Sequence, residues 1–217
     1  MSIYPEERAG AAGHLPTRAR AVPPIVSALF THVLGEDAAL LPRTTAITDA
    51  YHELLVANHE RLARWEPWAA VPPTPEGTRS FLEASGRAWL EGTELPVAIA
   101  VRAEGGWQLV GAAGLHITDY SQSAEAGYWV DGAFEGRGLV RRAMTALLDE
   151  AFGPLGLARV TLHMEAGNKR SRLLAQRLGF TEEGRQRQAI AFPDGRRDEI
   201  TYGLLAGEWR ARRTSGG

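Results

Sequence analysis

The chain has 217 residues, 44% of them hydrophobic, with 24 Lys and Arg against 26 Asp and Glu. That length supports one sizeable core, and a formal net charge of -2 removes the broad basic footprint expected of a nucleic-acid binder. Cysteine is absent, which excludes disulfides, thiolate metal sites and a cysteine nucleophile.

Residues 1–25 are rich in Ala, Gly, Pro and Arg without periodicity and are expected to form an arm outside a single domain spanning 26–212, with 213–217 as a tail. An apolar stretch at 22–30 could cover a partner chain, so monomer and homodimer both stay open. Residues 30–34 and 39–43 suggest a first strand pair, and 49–65 follow helical spacing through Leu54, Leu55, Leu62 and Trp65. Pro67, Pro72, Pro73 and Pro75 then forbid a continuous helix. A second amphipathic helix is expected over 76–91, followed by strands at 96–101, 107–117 and 124–130. Val140, Ala143, Met144, Leu147, Leu148 and Ala151 mark one face of a third helix. Residues 159–165 alternate as a strand, Asn168 caps a fourth helix and Gly179 closes it, and the remainder reads as a hairpin turning at Asp194-Gly195. Strands interleaved with helices give a mixed α/β sheet. No apolar run approaches the ~20 residues of a membrane helix, and Met1-Ser-Ile-Tyr-Pro-Glu-Glu lacks the basic start of a secretory signal. The expectation is a cytoplasmic protein with no nucleic-acid or membrane partner.

The segment running from Glu125 through Asp131 and Glu135-Gly-Arg-Gly-Leu-Val140 reads as strand, glycine-bearing loop and helix. Gly136 and Gly138 let backbone N–H groups converge, and the helix start adds the positive end of its dipole, an arrangement suited to a pyrophosphate. No Gly-Lys-Ser/Thr follows, and Arg141 stands where a dinucleotide fingerprint needs its third glycine, so ATP and NAD are disfavoured. The histidine pairs His52/His59 and His163 with Glu165 lack a third partner, and no metal is expected.

The hexapeptide 135–140 resembles the Gln/Arg-x-x-Gly-x-Gly/Ala loop of the GNAT superfamily of acetyl-coenzyme A-dependent N-acetyltransferases, with Glu135 and Val140 as departures. A second block, Asn168-Lys-Arg-Ser171 followed by Leu178-Gly-Phe180, is similar to the Asn-x-x-Ser and Leu-Gly-Phe of the RimJ/RimL-type ribosomal-protein N-acetyltransferases. Residues 127–131 and Trp65-Glu-Pro-Trp68 look like that branch as well. The resemblance implies an α/β GNAT fold: a mixed, mostly antiparallel sheet of about seven strands, flanked by about four helices and splayed between strands four and five (124–130 and 159–165). It implies acetyl-CoA as acyl donor, with Trp129, Val130 and Asp131 facing the pantetheine as a strand would. Gly136, Arg137, Gly138, Leu139 and Val140 would face the pyrophosphate, and Asn168 would touch the pantetheine. Arg137, Arg141 and Arg142 are further phosphate candidates, with Arg137 or Arg142 preferred. Ser171 matches the serine placed to protonate the departing thiolate.

The branch glutamate expected after Asp131 is absent, with Gly132 in its place. Asp131, Glu125, Glu135 and His116 are the candidate general bases, His116 having the ordinary pKa that suits neutral pH. The acceptor pocket is expected from the 65–75 loop, residues 119–123 and the final hairpin, with Trp65, Glu66, Trp68 and Glu125 holding a cationic amine. An α-amine with pKa near ~8 needs less help from a base than a lysine near ~10.4, whose deprotonation costs roughly 4 to 5 kcal/mol. The resulting expectation is direct transfer in a ternary complex to a protein or peptide N-terminus. A small-molecule amine, or a non-catalytic acyl-CoA-binding role, are the alternatives.

Overall fold

A computed structural model describes residues 31–118 and 121–215. The expected 1–25 arm, the 22–30 apolar stretch, and Asp119 and Tyr120 lie outside the described residues. Eight strands form one sheet: β1 (His32–Val33), β2 (Ala38–Pro42), β3 (Glu94–Ala103), β4 (Gly106–Thr118), β5 (Ser123–Val130), β6 (Arg159–Glu165), β7 (Thr181–Phe192) and β8 (Gly195–Leu205). Their order is β1-β2-β3-β4-β5-β6-β8-β7, antiparallel except for the parallel β5/β6 pair. The helices are α1 (Thr48–Leu62), α2 (Pro75–Leu90), α3 (Leu139–Phe152), α4 (Lys169–Leu178) and α5 (Ala206–Ser215). None of the described helices is long and apolar enough to cross a membrane.

The sheet is covered on both faces, and strand alternation sorts each strand between two cores. Ala38 and Leu40 of β2 point to the core built by α3, α4 and α5, around Met144, Leu147, Leu148, Ala175, Leu178 and Trp209. Ala39 and Leu41 point to the other, with Tyr51 and Leu54 of α1 and Leu82 of α2. All five β2 residues are therefore buried. The expected apolar face of the third helix is the buried face of α3.

Three differences have local causes. α1 ends at Leu62 rather than Trp65, because Pro67 holds Glu66 extended (φ -122°, ψ 111°) and the N–H groups of Trp65 and Glu66 both close on the Leu62 carbonyl. An eighth strand and a fifth helix exceed the expected numbers. α5 carries through Arg213 and Thr214, expected as tail, and docks by a Trp209 Nε1 bond to Asp149 Oδ1 at 2.9 Å.

Candidate active site

β5 and β6 pair only from Ser123 to Ala126 against Arg159 to Leu162. Beyond that, β5 stays with β4 through Val130 and β6 stays with β8 through Glu165, so the two strands part and open the expected splay. The open end of β5 is pinned by α1. Asn58 donates through Nδ2 to Asp131 Oδ2 (3.1 Å) and accepts at Oδ1 from the Gly132 N–H (3.3 Å), while Arg61 donates to the Val130 carbonyl. A bulge at Val110 lets Gly111 pass close to β5, and the Asp131 N–H donates to the Val110 carbonyl at 2.7 Å.

Past β5, Asp131 Oδ1 accepts from the Ala133 N–H (2.8 Å) and caps the short turn Gly132–Phe134. The chain then enters α3 through two left-handed glycines, Gly136 (φ 76°) and Gly138 (φ 72°). Gly138 is the N-cap of α3, so the first-turn N–H groups and the dipole face the space in front of it. A Cβ on either glycine would meet nothing within 4 Å, leaving that space open. Glu135, in the first position of the loop, is held between Arg61 (2.9 Å) and Arg170.

Facing this loop across the splay, Asn168 caps α4 by accepting the Ser171 N–H at 3.2 Å. Tyr128 of β5 donates its hydroxyl to the Ser171 carbonyl at 3.3 Å. Burial raises the Tyr128 phenol above its ordinary pKa despite the Ser171 contact, which acts the other way, so it remains a donor at working pH. A cleft of about 860 Å³ unites these parts and also takes Trp65 and Glu66 into its wall. Arg61, Arg64, Arg141, Lys169, Arg170 and Arg177 line it, a cation excess that fits the phosphates of a coenzyme A.

Glu66 leaves α1 in the extended conformation that Pro67 imposes, and Trp68 Nε1 reaches back to its Oε2 at 3.0 Å. Its carboxyl is partly buried. Burial pushes its pKa up to about 7, against the Trp68 hydrogen bond, which lowers it, while the nearby Glu125 charge raises it further. Ionised Glu66 therefore weakens the fold. Below the unfolded value of 4.5 both states are protonated, and stability is lost as pH rises to about 7, where the folded group ionises. Glu66→Gln should stabilise the protein at pH 8 by on the order of 2 kcal/mol and change nothing near pH 4, as read by urea unfolding at the two pH values.

Of the sequence candidates, Trp65, Glu66, Trp129, Val130, Gly136, Gly138, Leu139, Val140, Asn168 and Ser171 line the cleft. Trp68 is not in the cleft wall and reaches it only by its hydrogen bond to Glu66. Asp131, expected to act as base and to face the pantetheine, has both carboxylate oxygens and its N–H committed to the β5 end, and is not in the cleft wall. His116 is exposed on the sheet at 3.6 Å from Glu94 and lies outside the cleft wall, as does Glu125 opposite it in the register. Arg137 turns back onto the Ala133 carbonyl (3.2 Å) and the Phe134 ring, and Arg142 pairs with Asp37 (2.6 Å) away from the cleft, leaving Arg141 as the cleft-lining member of the three. Arg61, Tyr128 and Arg170 were missed. Arg170 sits inside the Asn-x-x-Ser block and was open to notice, whereas Arg61 sits 74 residues from Glu135 and nothing local marks it.

The acetyltransferase (GNAT) domain family profile matches residues 40–181. YdaF of Bacillus subtilis (strain 168), which carries the name of a ribosomal N-acetyltransferase, is 33% identical over 189 residues, covering 85% of this chain and all of that protein. A crystal structure described as a probable acetyltransferase superposes with a TM-score of 0.77 at 28% identity, over 83% of this chain and 99% of that one. RimL, a ribosomal L7/L12 α-N-protein acetyltransferase in complex with coenzyme A, shares the fold with a TM-score of 0.76 at 21% identity, over 81% and 97% of the two chains. Matched by the family profile over most of its length and by the whole of YdaF over 85% of it, the chain belongs to the GNAT acetyltransferase family and is an acyl-coenzyme A-dependent N-acetyltransferase with acetyl-coenzyme A as its donor.

Proposed function

We propose that the protein acetylates the α-amine of a polypeptide N-terminus, with ribosomal proteins as the acceptor class, by direct transfer within a ternary complex. The observation that carries this reading is that one cleft is lined both by the anion loop with Asn168 and Ser171 and by the Trp65-Glu66 wall, so donor and acceptor can meet without a covalent enzyme intermediate. The name and full-length match of YdaF support the ribosomal acceptor.

In this reading the N–H groups at the start of α3 and the cleft-lining arginines hold the phosphates, and the Trp129–Val130 backbone lies along the pantetheine. The neutral amine attacks the thioester carbonyl, forming the C–N bond as the C–S bond breaks. The electron pair leaves on sulfur, and the Ser171 hydroxyl supplies the proton the sulfur takes, recovering one from the new amide nitrogen. Ser171→Ala should lower kcat by roughly 10- to 100-fold with the coenzyme A dissociation constant unchanged. Equal loss of binding would assign Ser171 to structure.

The test is mass spectrometry after incubating the protein and acetyl-coenzyme A with N-terminal peptides of ribosomal proteins, lysine peptides, polyamines and amine antibiotics. Acetylated N-termini support the reading; acetylation confined to lysines or small amines overturns it.

A further inference from the structure

We infer that Glu66 is the general base of the reaction: its Oε1 takes a proton from the ammonium form of the acceptor, leaving the neutral amine beside the donor thioester. This deepens the acceptor reading and rests on it. Glu66 lines the same cleft as Ser171, Tyr128 and the anion loop, in the wall formed by the loop after α1. Trp68 Nε1 fixes Oε2 at 3.0 Å, and Oε1 has no hydrogen-bond partner among the described residues. One oxygen is thus anchored and the other is available to a ligand, the geometry a proton acceptor needs. No other carboxylate among the described residues combines these properties. Asp131 is consumed by Asn58 and Ala133, Glu135 by Arg61 and Arg170, and Glu125 is absent from the cleft wall.

The surroundings tune the group for neutral pH. Glu125 and Tyr128 face it from β5, Arg61 and Arg64 stand at the end of α1, and Arg197 of β8 reaches the Arg64 carbonyl at 2.8 Å. Burial and the Glu125 charge push the Glu66 carboxyl up to about 7, the Trp68 bond opposing them, which suits an acceptor amine with a pKa near ~8. The proton balance closes. Glu66 takes one proton from the ammonium and returns it to solvent, and a second nitrogen proton reaches the sulfur through Ser171.

The experiment is the pH profile of kcat for the full chain with acetyl-coenzyme A and an N-terminal peptide. The wild type should rise through a limb near pH 7. Glu66→Gln should lose roughly 100-fold in kcat at pH 7 with little change in KM, and the residual rate should climb with pH as the amine sheds its own proton. Glu125→Gln, which removes a neighbouring negative charge, should move the limb to lower pH. Trp68→Phe, which removes the donor to Oε2, should move it to higher pH. A packing role for Glu66 produces no such opposed shifts. Wild-type turnover with a Glu66→Gln profile within about threefold of it, or a limb unmoved by both neighbours, overturns this assignment alone; absence of acetylated peptide from the wild type overturns the acceptor reading and the assignment together.

Discussion

Replacing Gly138 by Asp is expected to weaken coenzyme A binding by roughly 100-fold while leaving the fold intact. Gly138 is left-handed (φ 72°) and N-caps α3 with open space where a Cβ would go. Asp is among the few residues that tolerate this conformation, and at an N-cap its carboxylate satisfies first-turn N–H groups and complements the helix dipole. The left-handed backbone still strains the new side chain, at a cost of roughly 1 kcal/mol, too little to unfold the domain. The same carboxylate, however, takes over the donors and the positive potential that a pyrophosphate needs, and two like charges about 4 Å apart repel by about 4 kcal/mol at an effective dielectric of 20. Gly138→Asn separates the two effects: with similar shape and no charge, it should bind within about tenfold of the wild type. Calorimetric titration with coenzyme A and thermal unfolding of both variants decide the matter. Weak binding by Asn as well as Asp would mean that loop shape, and not charge, governs the site.

Gly111→Val should cost about 3 kcal/mol or more and lower the melting temperature by about 10 °C. A Cβ at Gly111 would stand 2.4 Å from the Trp129 carbonyl oxygen and 2.9 Å from the Val130 Cα, both backbone atoms that cannot swing aside. Relief requires β4 and β5 to separate at the end where β5 leaves β6, the segment that forms the cleft wall. Coenzyme A binding should therefore fall along with stability. Gly86 in α2 provides the control, because its added Cβ meets nothing within 4 Å, and Gly86→Ala should raise stability by about 0.5 to 1 kcal/mol. Equal melting temperatures for Gly111→Val and the wild type would contradict the close approach of the two strands.

The elements legible in the sequence are those whose pattern is local. The α3 face, the alternation of β6, the Asn168 cap with its Gly179 close, and the turn at Asp194-Gly195 all match because burial on one side and turn chemistry leave their periods in neighbouring residues. α5 escaped because its one large apolar residue, Trp209, gives no period. β7 is exposed from Thr181 through Gln188, so the Asp194-Gly195 turn and not a buried face marks it as one arm of the expected hairpin.

The order of residues alone carries the family, the glycine-bearing anion loop, and Asn168 and Ser171 as residues beside it. These follow from short-range motifs, whose residues keep their spacing wherever the domain packs. Which charges line the cleft depends instead on how the elements pack. Asp131 is spent on α1 and its own turn, Arg142 on Asp37 and His116 on Glu94, while Arg61 arrives from a distant helix and Glu66 has a partly buried, half-anchored carboxyl. A carboxylate's or guanidinium's role is set by its solvation and its nearest partners. Those partners are brought together by the packing of α1 and its following loop on the open end of β5, across sequence separations that no local pattern encodes.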